Sequence, residues 1–114
     1  MNLLHNDFLS GFKGVSKEVH DTAISKGWWK GEKNKGELIA LMHSELSEAL
    51  EGLRHRDLPS EHIPTFTAVE EELADTVIRI MDFSEAFGYR VAEAVLEKIR
   101  FNETREYKHG GKLF

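Results

Sequence analysis

The sequence predicts an all-α protein: a four-helix bundle-like domain of antiparallel helices, assembled as an oligomer. Apolar residues recur at helical spacing through four segments, no segment shows strand-length alternation, and turn residues separate the periodic stretches. At 114 residues the chain is one domain, 1–114, and no internal repeat divides it.

The first helix is expected from Asp7 to about Lys26, where Phe8, Phe12, Val15 and Val19 recur at i, i+4, i+7 and i+11, although Gly11 and Gly14 lower the local propensity. KGWWKGEKNKG, with three glycines and four lysines, reads as a loop. The second helix opens at Asn34, an N-cap with Glu37 three residues on. It runs to about Arg56 with Leu38, Leu41, Met42, Leu46, Ala49, Leu50 and Leu53 turned inward. DLPSEHIPTF holds both prolines and is expected to be irregular. Thr67 and Glu70 then form a capping box for a third helix from Ala68, whose inner face is Val69, Leu73, Val77, Ile80, Phe83 and Phe87 and whose stop is Gly88. A fourth helix follows from Tyr89 to about Glu106, with Val91, Val95, Leu96 and Ile99 inward.

Composition narrows the function. Hydrophobic residues at 40% and charged residues at 31% describe a folding chain, and the absence of cysteine removes disulfides and thiolate metal sites. The start MNLLHNDFLSGFKG lacks the apolar core of a signal peptide, so a cytoplasmic setting is expected, and no apolar run nears the ~20 residues of a membrane span. A net charge of −5 argues against long nucleic acids as partners but admits a small polyanion carried with its own metal.

The acidic residues supply the chemistry. Glu45 and Glu48 form one i,i+3 pair and Glu72 and Asp75 another. On the second helix Glu45 falls inside the apolar arc and Glu48 at its edge, while Glu72, Asp75 and Arg79 share one flank of the third helix. An acidic pair alone usually marks a solvated face. Two inward pairs on facing helices need a counter-charge to stay ionised, and a divalent metal, Mg²⁺ above all, is the simplest one.

Lys98, Asn102 and Arg105 fall at i, i+4 and i+7 on the fourth helix, and the chain continues into Lys108, His109, Gly110, Gly111 and Lys112. This set suits phosphates, against the plainer role of a basic helix end that complements the macrodipole. Of Trp28 and Trp29, one is expected to pack as a lid on the core and the other, Trp29, to offer its ring to a base. His43 reads as a buried, hydrogen-bonded histidine.

ELSE at Glu45–Glu48, EELAD at Glu71–Asp75 and the closing KIRFNETREYKHGGKLF resemble the MazG-type members of the all-α nucleoside triphosphate pyrophosphohydrolases, whose pattern is ExxE, a spacer, then ExxD. The likeness runs from the tryptophan loop to the C-terminus. It implies that Glu45, Glu48, Glu72 and Asp75 bind Mg²⁺, that Lys98, Asn102 and Arg105 hold the triphosphate, and that water attacks the α-phosphorus to give a nucleoside monophosphate and pyrophosphate. Arg79 and Lys112 join the expected substrate contacts, and Glu48 is the choice for orienting the attacking water. A phosphoribosyl-ATP or dUTP pyrophosphatase of the same superfamily, or a non-catalytic helical interaction module, are the alternatives. A carboxylate-bridged di-iron bundle needs ExxH on two helices, and only Glu106 to His109 fits. Ile78 and Met81, apolar but off the inner face, point to a homodimer or homotetramer.

Overall fold

The computed structural model describes residues 2–107 and 113. Within them the chain forms four helices: α1 (Leu3–Ser25), α2 (Lys35–Arg54), α3 (Ala68–Phe87) and α4 (Val91–Glu103). α3 is central, packing against α2 and α1, and α4 packs on α1. Among the described residues the only strand-like feature is an isolated bridge between Pro59 and Thr67, and no helix is long and apolar enough to cross a membrane.

Side-chain caps set the helix starts. The Asn34 side chain accepts from the Glu37 backbone N–H at 3.0 Å. Thr67 and Glu70 complete the reciprocal capping box, and α3 ends at Gly88 in the left-handed region, φ 71°. α1 starts four residues earlier than its periodicity predicts because Asn2 caps it, accepting from the His5 N–H at 2.8 Å. α4 starts later than predicted, since Tyr89 leaves the helical path to stack on Phe83 with centroids 5.4 Å apart.

The α2–α3 connection is irregular, as its prolines require, and is fastened to the start of α3. Asp57 accepts from the Val69 N–H at 3.0 Å, and the Ala68 N–H donates to the Leu58 carbonyl at 2.8 Å. The buried Ser60 hydroxyl donates to Glu71 and accepts from the backbone N–H groups of His62 and Ile63.

Burial departs from the sequence reading. Among the described residues Ala49 and Ala92 are the buried apolar ones, while Leu41, Leu46, Leu50, Leu53, Leu73, Val77, Val95 and Ile99, all expected inside, are exposed. The α-carbon radius of gyration is 16.9 Å, against roughly 13 Å for a compact domain of this length. With α1 and α2 flanking α3 and α4 packed on α1, the arrangement is open and leaves the apolar faces that periodicity supplies uncovered.

Candidate functional site

Glu45 from α2 and Glu72 and Asp75 from α3 each bring one carboxylate oxygen within 4.8 Å of the others. The i,i+3 spacing puts the α3 pair on one flank, and Ala49, buried one turn beyond Glu45, allows α2 to approach closely. Neighbouring acids partly removed from water resist ionisation. Burial first, then the hydrogen bond and charge of Glu45, push Glu72 up to about 7. Burial, followed by the charges of Glu45 and Glu71, raises Asp75 as well.

Arg79 offsets part of that repulsion, its Nε donating to Glu45 Oε1 at 3.1 Å. Three carboxylates against one guanidinium leave two negative charges when all are ionised, which one divalent ion would balance. The donors are all oxygen, so the set suits a hard cation such as Mg²⁺. Glu48 is not one of the three: it is exposed, because a step of three residues from Glu45 carries it out of the α2–α3 contact.

A cavity of about 320 Å³ opens beside the cluster. Glu45, Asp75, Ile78, Arg79 and Asp82 line one side, Val19, Thr22, Ala23 and Lys26 another, and Trp28 closes it. Ile78 is thus a wall of this cavity, and its position off the helix's inner face has that explanation.

The structure turns Trp29 inward and leaves Trp28 exposed, the reverse of the placement expected from sequence. Gly27, at φ 84°, turns the chain sharply after α1, in a conformation that a side chain would strain. Trp29 then points inward, its indole N–H donating to both Asp82 oxygens at 3.0 and 3.1 Å and its ring meeting His20 and Phe87 edge-on at 5.1 and 5.6 Å. His20 Nδ1 lies 2.7 Å from the same carboxylate. Trp29 is a half-buried anchor, and Trp28, 61% exposed, is the ring on the cavity wall, with the Arg79 guanidinium 5.9 Å from its centroid. Sequence spacing gave no sign of the His20–Asp82–Trp29 network, since its members are brought together from α1, the loop and α3.

Lys98, Asn102 and Arg105 are not at the cavity. Ala92 turns into α1, and at about 100° per residue Lys98 and Asn102 lie some 80–120° around α4 from it, while α4 ends at Glu103, short of the expected Glu106, so that Arg105 lies beyond the helix. Lys98 and Asn102 line a shallow apolar groove on α4, and the Lys98 and Arg105 head groups sit over Phe101 at 4.4 and 5.6 Å. The cations that do line the cavity are Lys26 and Arg79. Lys112, with Lys108 to Gly111, lies outside the described residues. His43 is exposed, contrary to expectation, and its carbonyl accepts from the Ser47 hydroxyl at 3.2 Å.

A second histidine–carboxylate pair flanks the cluster. His62 Nδ1 lies 2.7 Å from Glu71 Oε2, which raises the His62 pKa, while the Ser60 hydroxyl and His62 lower that of Glu71. Glu71 is thereby committed to fastening the loop.

Comparison with known proteins gives no match, whether to family models, to curated proteins or to solved structures.

Proposed function

We propose that this chain is a Mg²⁺-dependent nucleoside triphosphate pyrophosphohydrolase of MazG type, an antiparallel helical domain that releases a nucleoside monophosphate and pyrophosphate. The observation that carries the reading is the meeting of Glu45, Glu72 and Asp75 beside a cavity that Glu45 and Asp75 line together with an exposed tryptophan.

The cavity suits a base, with Val19, Ala23 and Ile78 as apolar walls and the Trp28 face as a stacking surface. Glu45, Glu72 and Asp75 would hold the metal. Bound Mg²⁺ would supply charge neutralisation for the phosphates and for the departing pyrophosphate. Lys26 faces the same space as a second cation, and Arg79, held by Glu45, is oriented along the wall. Glu48, open to solvent a turn beyond Glu45, is the carboxylate left to orient the attacking water.

Incubation with a panel of ribo- and deoxyribonucleoside triphosphates and Mg²⁺, followed by product chromatography, tests the activity. Monophosphate and pyrophosphate in equal amounts are expected, abolished by EDTA. Absence of turnover across the panel would leave the cavity to a non-catalytic role.

A further inference from the structure

We propose that the cavity between α1, the end of α3 and the start of α4 binds a small organic acid, its carboxylate held by the Ser16 hydroxyl and the α4 N-terminus and its apolar body by Phe12 and Tyr89, independently of the catalytic reading. This cavity, of about 380 Å³, shares no lining residue with the one beside the acidic cluster.

The chain makes the cavity from a sharp turn and a close helix contact. α3 stops at Gly88 in the left-handed region, and α4 begins at Val91 with Ala92, 1% exposed, packed toward α1. A helix leaves the N–H groups of its first turn without intrahelical partners and concentrates about half a positive charge there, so this end attracts anions. At α4 the N-cap is Arg90, which makes no side-chain hydrogen bond. The Glu93 carboxylate accepts from Lys13 at 3.0 Å and from its own backbone N–H, both of which hold its pKa down, and so serves that position itself. Among the described residues no comparable bond serves the N–H groups of Val91 and Ala92, which line the cavity.

Ser16 is the independent sign of a ligand. It lines the cavity, is 2% exposed, and its hydroxyl has no hydrogen-bond partner among the described residues. The other buried hydroxyls are paired: Ser60 donates to Glu71, Thr76 to the Glu72 carbonyl and Ser84 to the Met81 carbonyl. Close packing of α1 against α4 asks only for a small side chain, as Ala92 provides from the other helix. An unpaired buried hydroxyl costs free energy that an acceptor placed in the cavity recovers.

Charge and size set the ligand class. Lys13 and Arg90 stand against Glu85 and Glu93 in the lining, so the formal charges cancel and the helix end adds about half a positive charge. A singly charged carboxylate leaves that balance close to neutral, whereas a phosphate dianion leaves an excess of negative charge beside two acids. An apolar cavity of about 150 Å³ already holds benzene, so about 380 Å³ admits an acid built on one ring.

Titration of the full chain with benzoate, followed by ¹H–¹⁵N spectra, should move the amide signals of residues 12–16 and 88–93 saturably and leave those of 75–82 in place. Benzyl alcohol, which keeps the ring and lacks the charge, and inorganic phosphate should each bind about tenfold more weakly or less, the worth of one hydrogen bond to a charged group. Ser16→Ala should weaken benzoate by a similar about tenfold factor. Its ligand-free melting temperature should equal or exceed that of the wild type, because the substitution removes no hydrogen bond. A hydroxyl with only a packing role would leave benzoate affinity unchanged in Ser16→Ala, and that result would overturn the proposal. So would the absence of saturable movement at residues 88–93, movement of 75–82 in their place, phosphate or benzyl alcohol binding as tightly as benzoate, or a lower melting temperature in Ser16→Ala.

Discussion

Asp82 serves two donors at once, the Trp29 indole N–H and the His20 ring, and lines the cavity beside Asp75. Asp82→Ala leaves both donors without their partner and should cost about 1–3 kcal/mol of stability, measured by denaturant unfolding. The tryptophans should separate in the same way. Trp28→Ala should weaken nucleotide use by about 1–3 kcal/mol of stacking with the fold intact, whereas Trp29→Ala should destabilise the protein. Kinetics and melting on the two variants check this. Two adjacent tryptophans in a glycine-rich loop announced one anchor and one free ring, but only the location of Asp82 and His20 decides which is which. The carboxylates were more legible: helical spacing brought Glu45, Glu72 and Asp75 to one place, and failed for Glu48, where the real contact between helices is narrower than the apolar arc.

At the scale of the helices, the start and stop signals at Asn34, Thr67 and Gly88 act locally and could be read directly. Asn2 and Tyr89 could not: one caps a helix whose first turn has no apolar periodicity of the predicted kind, and the other is drawn out of α4 by the Phe83 ring. The α4 stripe shows a similar limit, since α4 ends before Arg105 and the burial of Ala92 against α1 directs Lys98 and Asn102 away from the acids. The Ser60 hydroxyl joins the α2–α3 connection to Glu71 and to two backbone N–H groups. Ser60→Ala should therefore cost about 1–3 kcal/mol, and the loss should appear as faster amide exchange in residues 58–67.

For the whole molecule, the exposed apolar faces belong to a chain that periodicity describes as a closed bundle, because a sequence reports which face is apolar but not whether its own chain covers it. The acidic cluster couples folding to pH. The Glu72 pKa stands at about 7 in the folded protein against an ordinary 4.5, so between those values the folded state binds more protons than the unfolded one. The Glu72 contribution to metal-free stability is accordingly present below the ordinary value and lost as pH rises toward about 7. Unfolding in EDTA at about pH 5 and about pH 8 should show that loss, and Glu72→Gln should flatten it. Divalent binding should run the other way, tightening as pH rises because the ligands must shed protons. Excess Mg²⁺ at about pH 8 should raise the melting temperature of the wild type and not of Asp75→Asn. The most direct test of the account is hydrolysis of a nucleoside triphosphate in ¹⁸O-labelled water with Mg²⁺, comparing the wild type with Glu45→Gln. The wild type should place the label in the monophosphate and none in pyrophosphate, and Glu45→Gln should be inactive with unchanged helical circular dichroism. Label in pyrophosphate, or full activity in Glu45→Gln, would contradict attack at the α-phosphorus beside these three carboxylates.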